Sequence, residues 1–393
     1  MFQIARGSRS MEGFGYMNET VTETTKGSKL LIDRSNTSSL LPPETSVHLI
    51  SYIIEIYLIP VLCLFGIIGN TLATVVFLRK TLRNNSCSVF LAARGLSDNG
   101  FLSTLLIIWL SRIFQLQLGT LHSACRIIIF LSYVCGCISV WLVVFITAEN
   151  FIRICKPFIV NRVCTPNIAR VAVCLLCVTT VSIYNFPFWA MSPDQCQPFL
   201  EFYDTVQAMI YTDTVLTLVL PLLCIIVLMA AIVCDLIKSY KRRDLLRAPL
   251  ARRAKNPMAQ ITKMLFAVTI SFFCLNLPSH VNRLRLMIQA LIDPRPGPGN
   301  SSMDNAVQHI TLLIYYISLS MNIVVYLAFG SRFRKVFLRM FCSRCISTPL
   351  TDNLASANNN SKTRGLLVPL TLEMKDDGRV ECQVAQSTMT TDC

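Results

Sequence analysis

Seven long apolar runs take up most of this chain, at roughly 50–78, 86–111, 123–152, 167–190, 206–236, 260–288 and 306–328. Each has the roughly 20 residues that a helix needs to cross a bilayer. In hydrocarbon no water can receive a backbone N–H or C=O, so such a run must satisfy itself internally as a helix. The expected fold is an all-α membrane protein, a seven-transmembrane helix bundle at 48–329. It is followed by a short amphipathic eighth helix at 330–345 and flanked by polar, disordered tails at 1–47 and 346–393. Composition agrees: of 393 residues, 53% are hydrophobic and 15% charged, too apolar for an ordinary soluble domain.

The formal net charge of +14 raises nucleic-acid binding as a reading, but the basic residues follow the loops instead. Loop 79–85 carries Arg79, Lys80 and Arg83, and 235–263 carries nine Lys and Arg, Arg242 and Arg243 among them, against Asp235 and Asp244. By contrast, 114–122 has no Lys or Arg, and 191–206 has Asp194, Glu201 and Asp204 without a basic partner. The positive-inside rule then places 79–85, 153–166 and 237–260 in the cytosol, with the N-terminus outside and the C-terminus inside. Residues 1–47 hold no apolar signal core, so the first run is expected to act as the signal anchor. The sequons at Asn18, Asn36 and Asn300 fall on the side read as extracellular, where glycosylation is possible. The expected address is the plasma membrane, with the lipid bilayer as a partner and no nucleic acid.

The seventeen cysteines do not form a disulfide framework, because most sit within the runs, where a thiol behaves as a small apolar group. Cys125 and Cys196 are the two expected together on the oxidising side. A bridge between them closes a loop of about 70 residues and contributes ~2–4 kcal/mol.

Several residues in order carry a family resemblance over about 48–345. They are Gly69-Asn70, Leu96-Ser97-Asp98, the Cys125 and Cys196 pair, Glu149-Asn150-Phe151, Pro221, Phe272 through Pro278, Asn322 through Tyr326, and Phe329 through Arg334. In their spacing the chain resembles the rhodopsin-like (class A) G-protein-coupled receptors, of a divergent, neuropeptide-receptor-like kind. The departures are specific. Asn150 stands where the family carries arginine, Asn276 where it carries the helix-six tryptophan, and Ile323 where it carries the helix-seven proline.

Asp98 is read as a lone acid within the runs, and a carboxylate near mid-bilayer is costly enough to imply a function. The resemblance implies that Asp98, Ser139, Ser318 and Asn322 line a sodium pocket, with Asn70 beside them; the alternative is a water-filled polar network. No other cofactor is implied. On the sixth run, Asn276, His280 and Arg283 follow one helical stripe facing inward. The resemblance sets Ser132, Tyr133, Gly136, Asp213, Gln308 and Tyr315 opposite them as a ligand pocket. Ser132 lies where amine receptors carry aspartate, so a monoamine lacks its counter-ion. Arg283, with Arg112 nearby, suits a carboxylate, an amide or a peptide terminus. The alternative is that the two arginines snorkel to the headgroups, and His280 is equally readable as packing.

At the cytosolic end, Phe333, Val336, Phe337, Met340 and Phe341 fall on one helical face among basic residues, as in an amphipathic helix lying in the interface. Cys342 and Cys345 beyond it are candidate palmitoylation sites. A zinc reading of that single pair lacks a second ligand pair. The terminal Thr391-Asp392-Cys393 loosely resembles a PDZ ligand. Glu149, Asn150, Arg153, Arg242 and Arg243 are the expected G-protein face. The functional expectation is a receptor, not an enzyme, that binds an extracellular peptide or small molecule and activates a heterotrimeric G protein, with arrestin a further partner. Rival readings are a divergent chemosensory or orphan receptor with weak coupling, and a transporter, against which stands the lack of repeated halves.

Overall fold

A computed structural model describes residues 53–114, 124–193, 197–245, 257–292 and 302–341. Eight helices carry the fold: α1 (Ile54–Phe77), α2 (Ser86–Ile113), α3 (Ala124–Cys155), α4 (Pro166–Ile183), α5, α6 (Pro257–Ile292), α7 and α8 (Ser331–Phe341). α5 runs through Tyr203–Thr214, a π turn at Val215–Val219 and Leu220–Leu245. α7 consists of Ser302–Ser320 continued by Asn322–Phe329. Two compact units divide the chain, Met1–Phe337 and Leu338–Cys393. The bundle lies in the first, and in the second the described residues are the closing turn of α8.

Among the described residues, α1, α3, α4, α5 and α6 each hold a window apolar and long enough to cross a membrane, and the bent pair of α7 adds another. α2 is 28 residues long but more polar, because it carries Arg94, Ser97 and Asp98. All three are buried, and α2 packs on α1 and on α3. Burial inside the bundle is what makes these side chains tolerable at membrane depth. Outward faces are apolar instead: Val61, Leu64 and Ile68 on α1, Val171, Leu175 and Val178 on α4, and Leu223 and Val227 on α5 are all exposed.

Local chemistry sets the helix ends. Thr165 has extended backbone angles and its hydroxyl accepts from Ile168 N at 3.4 Å, with Pro166 opening α4. A hydroxyl cap satisfies one orphan N–H, and proline loses nothing at the first helical position. At the α7–α8 corner, a Cβ on Gly330 would lie 2.5 Å from the Tyr326 carbonyl, which cannot retreat. Phe333 of α8 then packs between Phe77 of α1 and Tyr326 of α7, with ring centroids 4.9 and 5.5 Å away.

α7 bends by 49° although it has Ile323 where the family carries proline. Met321 leaves the helical region at φ −82°, ψ 3°. The Leu319 carbonyl accepts instead from two side-chain amides, Asn70 Nδ2 at 3.1 Å and Asn322 Nδ2 at 3.0 Å. A buried carbonyl left unpaired is costly, so these amides allow a break that proline is not needed to make. Glycine makes room for the bend. Cβ atoms on Gly66 and Gly69 would come within 2.6 Å of Ser320 Oγ and 2.8 Å of Ile323 Cγ2. Small residues of this kind let membrane helices approach closely.

Candidate functional site

Three buried polar clusters run down the bundle. In the half that the charge distribution reads as extracellular, Asp213 of α5 accepts from Tyr184 Oη at 2.8 Å and from Arg283 Nη2 of α6. Arg283 also lies 3.4 Å from Thr217 Oγ1 through its other terminal nitrogen. The π turn places this face: its widened backbone frees the Leu216 carbonyl, which accepts from the Trp141 indole at 3.0 Å. Tyr133 of α3 stacks on Tyr184 with centroids 5.4 Å apart, within electrostatic reach of Asp213 and Arg283. His280 and Tyr315 are within electrostatic reach of Arg283 as well. The Asp213 side chain is 4% exposed and the Arg283 side chain 35%, so the carboxylate is sealed while the arginine is only partly covered.

Of the residues expected around this pocket, Tyr133, Asp213, His280, Arg283 and Tyr315 are brought together. Ser132 is buried and its hydroxyl turns back to the Ile129 carbonyl at 2.8 Å. Gly136 faces Phe101 of α2, 3.6 Å from a built Cβ. Gln308 is half-buried on α7. Arg112 is not in this cluster. It lies 3.7 Å from Glu55 Oε2 of α1, where His309 Nδ1 also approaches Glu55 Oε1 at 3.3 Å. Tyr184, Thr217, Glu55 and His309 were not anticipated, since no local pattern announces a partner on another helix.

The middle cluster surrounds Asp98. Ser139 Oγ donates to Oδ1, and Asn322 Nδ2 lies 2.6 Å from Oδ2. Asn276 sits lower than the pocket reading placed it: fully buried, it donates to the Phe272 carbonyl at 2.7 Å and to Ser318 Oγ at 2.8 Å. Ser318 is thus bonded to α6, and none of its hydrogen bonds reaches Asp98 among those described. Nor is Asp98 a lone charge. Arg94, one turn earlier on α2, holds Nε 3.6 Å from Oδ2, and the two side chains are 1% and 0% exposed. The i, i+4 spacing is the signal that could have found it. The chemistry of this set opposes a bound sodium ion. Toward the carboxylate Ser139 turns its O–H, Asn322 its amide N–H and Arg94 a positive charge, so a second cation would have to displace these donors and meet the guanidinium's repulsion.

The third cluster closes the half that the charge distribution reads as cytosolic. Glu149 Oε1 of α3 accepts from Ser86 Oγ of α2 at 2.6 Å and from Arg153 Nε at 3.0 Å, with Arg153 Nη2 also in contact. Both charged side chains are nearly sealed, 4% and 7% exposed. Nearby in the loop, burial raises the Cys164 thiol above its ordinary range, Glu149 adds to this and Arg153 opposes it. Asn150, read as part of the G-protein face, is fully buried, and neither polar atom of its amide has a hydrogen-bond partner among the described residues. An α3–α6 contact exists without charge: Thr147 Oγ1 and Thr269 Oγ1 are 3.0 Å apart. Arg242 and Arg243 fall on the last turns of α5, and their side chains lie outside the described residues.

Cys125 is disulfide-bonded. Its expected partner Cys196 lies outside the described residues, as do Asn18, Asn36, Asn300, Cys342 and Cys345.

Helices long and apolar enough to cross a membrane, with ionic and amide groups buried between them, define a multi-pass membrane protein. The family model "7 transmembrane receptor (rhodopsin family)" matches residues 69–326, and the chain belongs to that family. It is similar to the FMRFamide receptor of Drosophila melanogaster, 25% identical over 56% of this chain and 41% of that protein. It is also similar to an FMRFamide peptide receptor of Caenorhabditis elegans, 29% identical over 32% of this chain and 30% of that protein. The C-C chemokine receptor type 1 of Macaca fascicularis is 22% identical, over 79% of this chain and 82% of that protein. The matches thus span well under half the length of the two FMRFamide receptors.

Proposed function

We propose that the chain is a plasma-membrane receptor for a short peptide, with its N-terminus outside, and that it activates a heterotrimeric G protein by conformational change. The observation that carries this reading is the Asp213–Arg283 pair. It joins α5 to α6, with the acid sealed and the arginine side chain partly exposed. A guanidinium has five N–H donors, more than Asp213 and Thr217 use, and its fork suits a carbonyl-rich ligand such as a peptide terminus or C-terminal amide. A cationic ligand side chain would compete with Arg283 for Asp213. A ligand with both groups therefore prefers a bundle in which α5 and α6 are re-paired, and that preference shifts the population. The names of the fly and nematode relatives, which spell an amidated peptide containing arginine, agree with this chemistry.

Below the pocket, the Asn276–Ser318 and Asn322–Asp98 bonds extend the polar line toward α3 and the cytosolic Glu149 cluster. The Cys125–Cys196 bridge, the glycans at Asn18, Asn36 and Asn300, palmitate on Cys342 or Cys345, and arrestin binding belong to the same proposal. The positive-inside distribution supports its orientation.

The test is a library of amidated and free-acid peptides applied to the expressed receptor, read by nucleotide exchange on purified G proteins in the same membranes. Activation by an amidated peptide, lost in its free acid and in Arg283→Ala, supports the reading. Activation that is indifferent to Arg283 overturns the pocket, and peptide uptake without nucleotide exchange overturns the receptor mechanism.

A further inference from the structure

We propose that Arg94 is this receptor's own counter-ion for Asp98, a tethered guanidinium that does the work a dissociable cation would otherwise do at that carboxylate. Arg94 heads the largest fully buried side chains of the described bundle. A charge so deep in hydrocarbon persists only when paired. Its Nε lies 3.6 Å from Asp98 Oδ2, and its Cζ stands over the Phe272 ring of α6, 5.5 Å from the centroid. Ser139 and Asn322 complete the shell around the carboxylate with hydroxyl and amide donors. Each described group bonded to or paired with Asp98 therefore turns a donor or a positive charge toward it. A second cation would meet repulsion from Arg94 and share each carboxylate oxygen with a donor already there.

The geometry adds a link that an ion cannot supply. One end of Arg94 is held at α2 by its own backbone, while its head touches the acid and an aromatic ring of α6. Among the described residues Arg94 Nε and Nη1 have no hydrogen-bond partner, and the head borders a cleft lined by Phe272, Ser318 and Asn322 between α6 and α7. A shift of α6 that removes Phe272 thus changes the surroundings of the Asp98 pair directly. In this arrangement the charge state of the site is set by helix position, not by the concentration of a salt.

The test uses the purified full chain in lipid nanodiscs, with thermal unfolding followed in sodium chloride and in equal choline chloride. The parent, Arg94→Leu, Asp98→Asn and the double variant are compared. The parent is expected to melt at the same temperature in both salts. Arg94→Leu strands a buried carboxylate and is expected to melt ~5–10 °C lower in choline. The double variant removes both charges and is expected to recover most of that loss, since the coupling of contacting groups is non-additive. A saturable, sodium-specific stabilisation of the parent that vanishes in Asp98→Asn overturns the proposal. So does additivity of the two single changes. If Arg94→Leu does not fold, Arg94→Lys takes its place in the cycle, and the salt comparison on the parent alone still decides: equal melting supports the tethered cation, and a sodium-specific gain overturns it.

Discussion

Arg153 holds Glu149 from one turn further along α3, and Ser86 of α2 closes the same carboxylate at 2.6 Å. The acid that the family resemblance pairs with its neighbouring arginine is here paired with one four residues on. That spacing puts both side chains on the same helical face, so the cytosolic end of α3 is tied to α2 and to itself. Glu149→Ala releases Arg153 from a nearly sealed site. We expect it to lower the melting temperature and raise ligand-independent nucleotide exchange, with Arg153→Met more destabilising still, by ~3–5 kcal/mol, because it strands the carboxylate. Unchanged melting of both variants at matched expression would show that the pair is ornamental.

Asn150 makes the opposite expectation. Its amide is buried with neither polar atom hydrogen-bonded among the described residues, so little is lost on removing it. Asn150→Ala should change stability by under ~1 kcal/mol, because the desolvation penalty already present is relieved as packing is lost. Coupling should survive this change and weaken when Arg242 and Arg243 are reversed to glutamate, as nucleotide exchange in membranes can measure. The first result reversed, with Asn150→Ala alone abolishing exchange, would return the G-protein contact to α3.

In the outer pocket, Arg283→Lys keeps the charge but loses the fork that reaches Asp213 and Thr217 together. Peptide potency should fall at least tenfold, about 1.4 kcal/mol, and Arg283→Ala should fall further. Asp213→Asn retains the Tyr184 bond and should act mainly on cationic ligands. A dose–response series over three peptides that differ by one charge separates these outcomes.

Ile323→Pro is expected to be tolerated. Ile323 stands in the first turn of Asn322–Phe329, where the preceding Leu319 carbonyl is already taken by two amides. The cost should stay well below the ~3 kcal/mol of a proline in a helix interior. Gly69→Val should be the damaging change in that region, by ~1–3 kcal/mol, because its added carbons meet Ile323. Pairing it with Ile323→Ala should restore part of the loss, and thermal melting of the four proteins gives the coupling.

Cys196→Ser is expected to match Cys125→Ser in surface expression and melting temperature, each losing ~2–5 kcal/mol. Two single variants that differ, with the double variant worse than either, would assign the Cys125 disulfide to another thiol.

The bundle itself was legible residue by residue. A membrane requires each crossing segment to satisfy its own backbone, so apolar length alone calls for a helix, as the runs that became α1 and α3 through α6 show. The amphipathic face of α8 follows from local periodicity, and the inward place of Asp98 from the cost of a carboxylate facing lipid. Two pairs were within reach of a spacing argument, Arg94 with Asp98 and Glu149 with Arg153, because four residues along a helix bring side chains together wherever that helix lies. Other relationships have no local cause. Asp213 meets Arg283, and Arg112 turns to Glu55 instead of the pocket, only because the rotation of each helix is set by how its neighbours pack. Asn276 likewise drops from the pocket stripe to Ser318. Gly69 receives Ile323, and the bend of α7 persists without proline, because two amides from different helices converge on one carbonyl. Such convergence depends on the mutual register of whole helices, a property of the packed bundle and not of any segment within it.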